Sequence, residues 1–194
     1  MRVTIQFEGR TALLMHNSRL SDADNEFTKQ IKEITDKGTN QTKEDKEHLA
    51  HLEWQGSLYT NGNNIPVIPS ANFIKMLREA AAVTKEGKKI ARGLSPLALT
   101  WDLEYGGPKN LKELYAIPAF VDRRQVKVGR GLIKRTRPIF PQWKVTPSFE
   151  LLTDILDFGR LKDLIELAGL TTGLGDARIL GYGRFQAKVT EGKS

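Results

Sequence analysis

The chain has 194 residues and contains no cysteine, which excludes disulfide bonds, thiolate metal sites and a cysteine nucleophile. It also lacks any apolar run approaching the ~18 residues that a membrane helix needs. The N-terminal segment lacks the apolar core of a secretory signal, because Glu8 and Arg10 interrupt it. We therefore expect a soluble, cytoplasmic protein that has no membrane partner.

Acidic residues are fewer than basic residues in this chain. Thirty Lys and Arg residues oppose 23 Asp and Glu residues, which gives a formal charge of +7 and an isoelectric point near 9.6. Hydrophobic residues make up 39% and charged residues 27% of the chain, a balance that excludes global disorder and fits a single domain over residues 1–194. Positive potential concentrates phosphates near a surface, so we expect a polyanionic partner. A basic protein that is merely soluble is the alternative.

Hydrophobic periodicity divides the chain into strands and helices. Alternating apolar and polar residues predict four strands, at Arg2–Glu8, Leu97–Leu103, Trp143–Leu151 and Arg184–Val189. Helical spacing predicts a helix that begins at Ser70 and another over Leu161–Ala168. Two further helices, one around Phe27–Ile34 and one that starts at Thr42 with Asp45 in a capping box, form an insertion at residues 24–56.

When the insertion at residues 24–56 and the long segment at residues 106–141 are left out, the order of elements is strand, helix, strand, strand, helix, strand. This is the βαββαβ order of ferredoxin-like folds, in which two helices cover one face of an antiparallel sheet. The predicted fold class is therefore α+β, with a ferredoxin-like (RRM) core, the helical insertion and a protruding basic β-hairpin, or thumb, within residues 106–141. The open sheet face of RRM domains commonly stacks single-stranded RNA.

Residues 123–144 contain eight cations and no acidic residue. Gly129 and Gly131 predict a turn between two short strands, so a projecting ribbon would spread these charges along its length. A ribbon of one charge sign repels itself unless a polyanion is present, although a solvated charged hairpin is the alternative. We predict phosphate contacts from Arg123, Arg124, Lys127, Arg130, Lys134, Arg135, Arg137 and Lys144.

Residues 173–185 form a second basic segment, which is rich in glycine. Glycine lets backbone amides approach phosphate closely, and arginine adds charge beside them. The segment is neither a P-loop nor a convincing dinucleotide site, since it lacks the Gly-Lys-Ser/Thr ending and follows a helix instead of preceding one. A structural turn explains some of the glycines. We predict nucleic-acid binding by Gly173, Gly175, Arg178, Gly181, Gly183 and Arg184.

Three features resemble the RAMP superfamily, the RRM-fold subunits of CRISPR effector complexes. Gly173–Phe185 resembles the glycine-rich loop of that family. Val67–Arg78 resembles its "strand, Ile-Pro-Gly-Ser-Ser-Leu-Lys-Gly, helix" motif, with Ser70 where a glycine is usual and a Met-Leu pair after Lys75 instead of a glycine. The basic hairpin falls between the second and third predicted core strands, where backbone-type members carry a thumb.

The resemblance implies a non-catalytic subunit of a CRISPR-type or phage assembly that coats single-stranded RNA or DNA, with RNA favoured. Such subunits line up with copies of themselves or with other CRISPR subunits, and here Lys75 and Arg78 match the motif that holds the strand. One alternative is a metal-independent endoribonuclease of the same superfamily. Another is a phage-borne mimic that joins or blocks a host CRISPR complex through protein contacts. The resemblance does not cover the insertion.

The candidates for catalysis are weak. His16 follows the first strand and is a candidate general acid or base, but a lone histidine in a loop is more often structural. Asp22 and Asp24 lie where target-cleaving relatives hold a metal-dependent aspartate, yet capping of the next helix is the simpler role. His48 and His51 lie one helical turn apart and lack the further ligands that zinc needs. The sequence makes no positive case for catalysis, a metal or a cofactor.

Three aromatic residues lie near the predicted binding surfaces. Trp54, Tyr59 and Tyr182 could stack bases there, since every base offers a π-face, but each could equally belong to the core.

Overall fold

The structure is a computed structural model that describes residues 1–129 and 131–192. Within these residues the chain is a mixed α+β protein whose strand pairings are antiparallel, as the predicted α+β class requires. The strands are β1 (Arg2–Gly9), β2 (Leu13–Leu14), β3 (Val67–Pro69), β4 (Leu94–Pro96), β5 (Thr100–Asp102), β6 (Val121–Val128), β7 (Gly131–Phe140), β8 (Lys144–Val145), β9 (Ser148–Leu151) and β10 (Phe185–Glu191). The helices are α1 (Glu26–Thr35), α2 (Lys43–Ser57), α3 (Ser70–Ala82), α4 (Gly87–Gly93), α5 (Leu111–Ala116) and α6 (Phe158–Leu167). Among the described helices, none combines the length and the apolar character that crossing a membrane requires.

The main sheet has the strand order β10-β1-β9-β4, and β8 also pairs with β1. Alternation in β1 buries Val3, Ile5 and Phe7 completely, while the residues between them face the other side of the sheet. Helices α3 and α6 pack against the buried face, where the Phe73 ring of α3 stacks on Phe7 at 5.2 Å between centroids. The core therefore lies between the sheet and these two helices.

The predicted core strand at Leu97–Leu103 is wrong, because only Thr100–Asp102 (β5) within that range is a strand and the main-sheet strand β4 lies just before it. Strand β4 pairs with β9 in the main sheet, whereas β5 pairs with β3 in a separate two-stranded sheet. Leu99 between them is 82% exposed. The Leu97 N–H still donates to the Ser148 carbonyl at 3.0 Å, and the chain leaves the main sheet after this bond. The predicted strand at Trp143–Leu151 is divided into β8 and β9, and Pro147 lies at the break.

The insertion folds as two helices, as predicted. Thr42 and Asp45 form the predicted capping box at the start of α2. The expected capping role of Asp22 and Asp24 is wrong, because Asn25 caps α1 by accepting from the Phe27 N–H. An asparagine directly before the first helical residue has the ideal position for a side-chain cap, which the aspartates do not.

Strands β6 and β7 form an antiparallel hairpin from Val121↔Pro138 to Val128↔Gly131, within the predicted thumb range. Its base is built into the molecule, because β2 pairs with β7 and α2 packs along the same strand. The first part of the predicted range is not hairpin: residues 111–120 form α5 and a short 3-10 turn, with Leu114 and Phe120 buried.

Candidate nucleic-acid interface

Three segments that are far apart in the sequence meet at one cavity of about 330 Å³. Strand β2 leads into the loop that carries His16, β3 ends where α3 presents Asn72 and Lys75, and the glycine-rich loop contributes Arg178. Lys75 is exposed and forms no ion pair within the described residues. Cations beside an amide are groups that bind phosphates and base edges. Asn72 was not singled out from the sequence, although it lies inside the motif that was.

Two further cavities extend this one on either side. A cavity of about 520 Å³ shares Asp176 and Arg178 with it and reaches Arg184. A groove of about 490 Å³ shares His16 with it and runs between α1 and the hairpin. The shared residues connect the three cavities in one series, here called the line of cavities, from the glycine-rich loop past His16 to the hairpin, and such a series suits a linear polymer better than a compact ligand.

The glycine-rich loop packs on the protein itself. The Asp176 N–H donates to the Leu14 carbonyl at 2.8 Å, and the Gly183 N–H donates to the Ala12 carbonyl at 2.8 Å. A Cβ at Gly183 would lie 1.7 Å from the Leu174 carbonyl oxygen. The expectation that the loop offers its amides to phosphate is therefore wrong at these positions, since the chain's own carbonyls already bind them. All four predicted loop glycines have a positive φ: Gly173, Gly175, Gly181 and Gly183.

The two arginines of this loop differ in accessibility. Arg178 lines the central cavity and pairs with Glu79 at 2.6 Å, in a contact whose carboxylate is 42% exposed. Ion pairs of such exposure contribute only about 0–1 kcal/mol, so a phosphate can compete for the arginine. Arg184 donates to the Arg178 carbonyl at 3.2 Å, and its Nη1 is buried without a hydrogen-bond partner in the described structure. Arg178 is the better placed of the two for a ligand.

Most hairpin cations are neutralised by the protein's own carboxylates, so the expectation of a ribbon with free charges is wrong for these residues. The ion pairs are Arg123–Glu47, Arg124–Asp122, Arg135–Glu53, Arg137–Asp122, Arg137–Asp176 and Lys144–Glu8. Lys127 and Lys134 have no ion pair among the described residues, and Arg130 lies outside them. Four of the five carboxylates come from β1, α2 and the glycine-rich loop, which only the folded chain brings to the hairpin.

Alternation along the hairpin places the cations with mostly buried partners on one face, and the two lysines that are unpaired within the described residues, with Arg123, on the other. One face, here called the inner face, carries Arg124, Arg135 and Arg137, whose partners are mostly buried. The Arg124 guanidinium also stacks over the Tyr182 ring at 4.9 Å and donates to its hydroxyl. The opposite face, here called the outer face, carries Arg123, Lys127 and Lys134. The glycine-rich loop contacts the neutralised inner face, so the predicted pairing of that loop with free hairpin cations is wrong.

His16 lies between the central cavity and the groove along α1. The surrounding protein excludes water from part of its ring, and this desolvation lowers the pKa of His16; Asp176 opposes the shift and Arg137 adds to it. Its Nδ1 lies 3.4 Å from the Ser57 hydroxyl, and the Tyr59 hydroxyl donates to the His16 carbonyl at 3.3 Å. A neutral imidazole in a cavity wall can accept a hydrogen bond or a proton.

The described residues contain no group of three or more His, Cys, Asp or Glu side chains that could hold a metal ion. Asp22 accepts from the backbone N–H of Asp24. His51 packs edge-on against Tyr115 at 4.7 Å between centroids, and desolvation lowers its pKa. His48 and His51 therefore lie on a helix face that holds no metal-ligand set within the described part of the chain.

The solvent face of the main sheet is polar. It carries Arg2, Thr4, Gln6, Glu8, Ser148, Glu150, Gln186 and Lys188. No aromatic side chain lies on that face in the described strands, so the expected stacking of bases on the sheet has no platform there. Trp54 is completely buried and donates its Nε1–H to the Phe120 carbonyl, which makes it a core residue. Tyr59 lines the central cavity and is the aromatic residue best placed to meet a base.

Comparison with known proteins adds no family: no family model matches the chain, and no curated protein shows significant similarity to it.

Proposed function

We propose that this chain binds single-stranded nucleic acid, RNA in preference to DNA, as a non-catalytic subunit of a CRISPR-type or phage ribonucleoprotein assembly. The strand lies along the line of cavities that joins the glycine-rich loop, Lys75 and His16. Lys75 and Arg178 line the central cavity and supply positive charge for the phosphates there. A formal charge of +7 favours anions in general. The extended series of cavities then favours a polymer over a small acidic metabolite.

The meeting of two motifs carries this proposal. Val67–Arg78 and Gly173–Phe185 are about a hundred residues apart, and each resembles a RAMP motif independently of the other. Both contribute side chains to the central cavity. If both motifs bind the same nucleic-acid strand, they are expected to lie on one surface.

The strand order supports the finer fold assignment in this proposal. Apart from the short β8, the main sheet consists of four strands, which are β1, β4, β9 and β10 in chain order. Helix α3 lies between the first and second of these strands, and α6 lies between the third and fourth. Their order across the sheet is fourth, first, third, second, as in a ferredoxin-like core with two helices on one face. The hairpin falls between the second and third of these strands, where the resemblance places a thumb.

The glycine-rich loop also offers a protein contact. Ile179 is 99% exposed and Leu180 is 69% exposed at its surface, beside the cavity that Arg178 lines. Adjacent exposed apolar side chains favour burial against a partner. If copies of this chain line up along one strand, the partner is a neighbouring copy. If the chain is a mimic, the partner is another CRISPR subunit.

A metal-independent endoribonuclease is the second candidate, because of one observation. His16, with its lowered pKa, lies in the wall of the same cavity as Lys75. A neutral imidazole beside a cation is a pair that can assist attack of a ribose hydroxyl on its phosphate. Incubation of labelled RNA with the protein in EDTA separates the candidates: intact, retarded RNA supports coating, and cleavage that the His16→Gln variant loses supports the endoribonuclease.

The binding test is a fluorescence-anisotropy titration of labelled single-stranded RNA and DNA over a range of salt concentrations. We expect tighter binding to RNA and a slope of log K against log salt of about −3 to −4, if four to six phosphates are contacted. The charge reversals Lys75→Glu and Arg78→Glu together should abolish binding. The matched control is Lys88→Glu with Arg92→Glu, two exposed cations on α4. No binding by the wild-type protein at low salt, or equal loss in both variants, would refute the proposal.

A further inference from the structure

The outer face of the hairpin meets the inserted helix α2. Between them lies a cavity of about 400 Å³ whose lining includes Lys43 and Lys46 from α2 and Arg123 and Lys134 from the hairpin. This cavity is on the opposite side of the hairpin from the glycine-rich loop, since Arg123 and Lys134 belong to the outer face. The cavity shares Glu53 and Thr136 with the groove along α1, so the insertion adds cations beside one end of the line of cavities.

The charge in this cavity is only partly balanced. Lys43, Lys46 and Lys134 are exposed and have no ion pair within the described residues. Arg123 pairs with Glu47 at 3.2 Å, but the Glu47 side chain is 60% exposed. An ion pair in that setting is worth about 0–1 kcal/mol and yields readily to a competing phosphate.

The other carboxylate in the lining is already engaged. Glu53 is buried, and it accepts from Arg135 at 2.6 Å through Oε1 and from the Thr136 N–H at 2.8 Å through Oε2. Both of its oxygens therefore serve to bind α2 to the edge of β7. The cations that remain give the cavity a surplus of positive charge.

The two elements hold the backbone positions of these cations in a fixed arrangement. The capping box of Thr42 and Asp45 sets the first turn of α2, where Lys43 and Lys46 lie three residues apart on one side of the helix. The Glu53 contacts then fix α2 against the hairpin. A site whose charges are already positioned loses less entropy when it binds a ligand.

We infer that α2 and the outer hairpin face form a second phosphate-binding surface, which holds the sugar-phosphate backbone of the same strand. This inference rests on the proposed function. Lysines act as point charges on phosphates and read no bases, so this surface adds affinity without sequence preference. A strand that uses both surfaces passes around the hairpin, and only a strand long enough to do so gains from the second one.

The test compares Lys43→Glu with Lys134→Glu, combined in one protein, against the Lys88→Glu, Arg92→Glu control. Each pair of reversals lowers the formal charge by the same amount, so any nonspecific effect of net charge is matched. The probes are labelled homopolymeric RNAs of about 8 nucleotides, which is within the span of one binding module, and about 30 nucleotides, which exceeds it. We expect affinity for the long RNA to fall about tenfold relative to the control, with a salt slope shallower by about 1, while affinity for the short RNA stays unchanged.

Equal affinity of this variant and the control for the long RNA would overturn the second surface. If that result accompanies loss of binding in the Lys75→Glu, Arg78→Glu variant, the proposed function survives and only the second surface is wrong. If the wild-type protein binds neither RNA, both proposals are wrong. The neutral substitutions Lys43→Gln and Lys134→Gln guard against misfolding, because they should lower long-strand affinity in the same direction, by a smaller factor, without placing new carboxylates beside Glu47.

Discussion

Arg137 of the hairpin and Asp176 of the glycine-rich loop form an ion pair of 2.7 Å. The two residues are 39 positions apart in the sequence. The Arg137 side chain is 11% exposed and also reaches Asp122 at 3.3 Å, so one guanidinium joins the base of the hairpin to the loop. The hairpin and the glycine-rich loop, both of which were predicted to bind phosphate, are therefore joined through one side chain.

Asp176→Asn should weaken this connection. It removes one of the two carboxylates that neutralise a largely buried guanidinium, and we expect the free energy of unfolding to fall by about 1–2 kcal/mol, between the values for exposed and fully buried pairs. Urea denaturation measures the change. Asp24→Asn is the control, since its contact with Lys29 is exposed and 3.7 Å long. Equal stability of the two variants would show that the Arg137 contact contributes nothing.

Two loop glycines make a matched pair for backbone packing. Gly183 has a φ of +69°, and a Cβ there would lie 1.7 Å from the Leu174 carbonyl oxygen, whereas Gly181 has a φ of +89° with open space around it. Gly181→Ala should cost about 1 kcal/mol from backbone strain alone, and Gly183→Ala should cost at least about 3 kcal/mol. Thermal unfolding followed by circular dichroism ranks the two. A Gly183→Ala protein as stable as Gly181→Ala would contradict the close packing of this loop.

The lowered pKa of His16 makes stability fall in mild acid. Its value in the folded protein lies below the ordinary 6.5, so the unfolded chain binds more protons once the pH drops below about 6.5. The free energy of unfolding should be unaffected by this group above that pH and should decline as the pH falls further. His16→Gln should reduce the decline, and His51→Gln should reduce it additionally, since desolvation lowers the pKa of His51 too. An NMR titration that places His16 at or above 6.5 would contradict the assignment.

Glu86 joins the turn between α3 and α4 to helix α6. Hydrogen bonds from Arg160, above all, hold the pKa of Glu86 at about 2, against an ordinary value of 4.5. The stability that this ionised carboxylate contributes is present above pH 4.5 and is lost as the pH falls towards 2. Glu86→Gln should lower stability at pH 7 and flatten the acid limb over that range. Glu166→Gln, an exposed carboxylate on α6, should change neither, and a steep acid limb retained in Glu86→Gln would refute the linkage.

Features that depend only on neighbouring residues could be predicted from the sequence. The alternation of Val3, Ile5 and Phe7 predicted β1, and the spacing of Leu161, Leu164 and Ile165 predicted α6. Each pattern depends only on neighbours within one element, so a linear sequence contains it. The capping box at the start of α2 was predicted for the same reason. The prediction failed at Leu97–Leu103, because alternation shows that a segment can be a strand and does not say which sheet the strand joins.

The sequence by itself determined which residues are cationic, which glycines permit tight turns and which segments alternate. Only the tertiary structure decided that Glu47, Glu53 and Asp176 neutralise hairpin arginines, that the loop amides bind internal carbonyls, and that Trp54 is buried. The reason is physical: an ion pair, a close backbone contact and burial each depend on distances between residues remote in sequence. A count of charges predicts a polyanion partner, but the charges available to bind it are those that folding leaves unpaired.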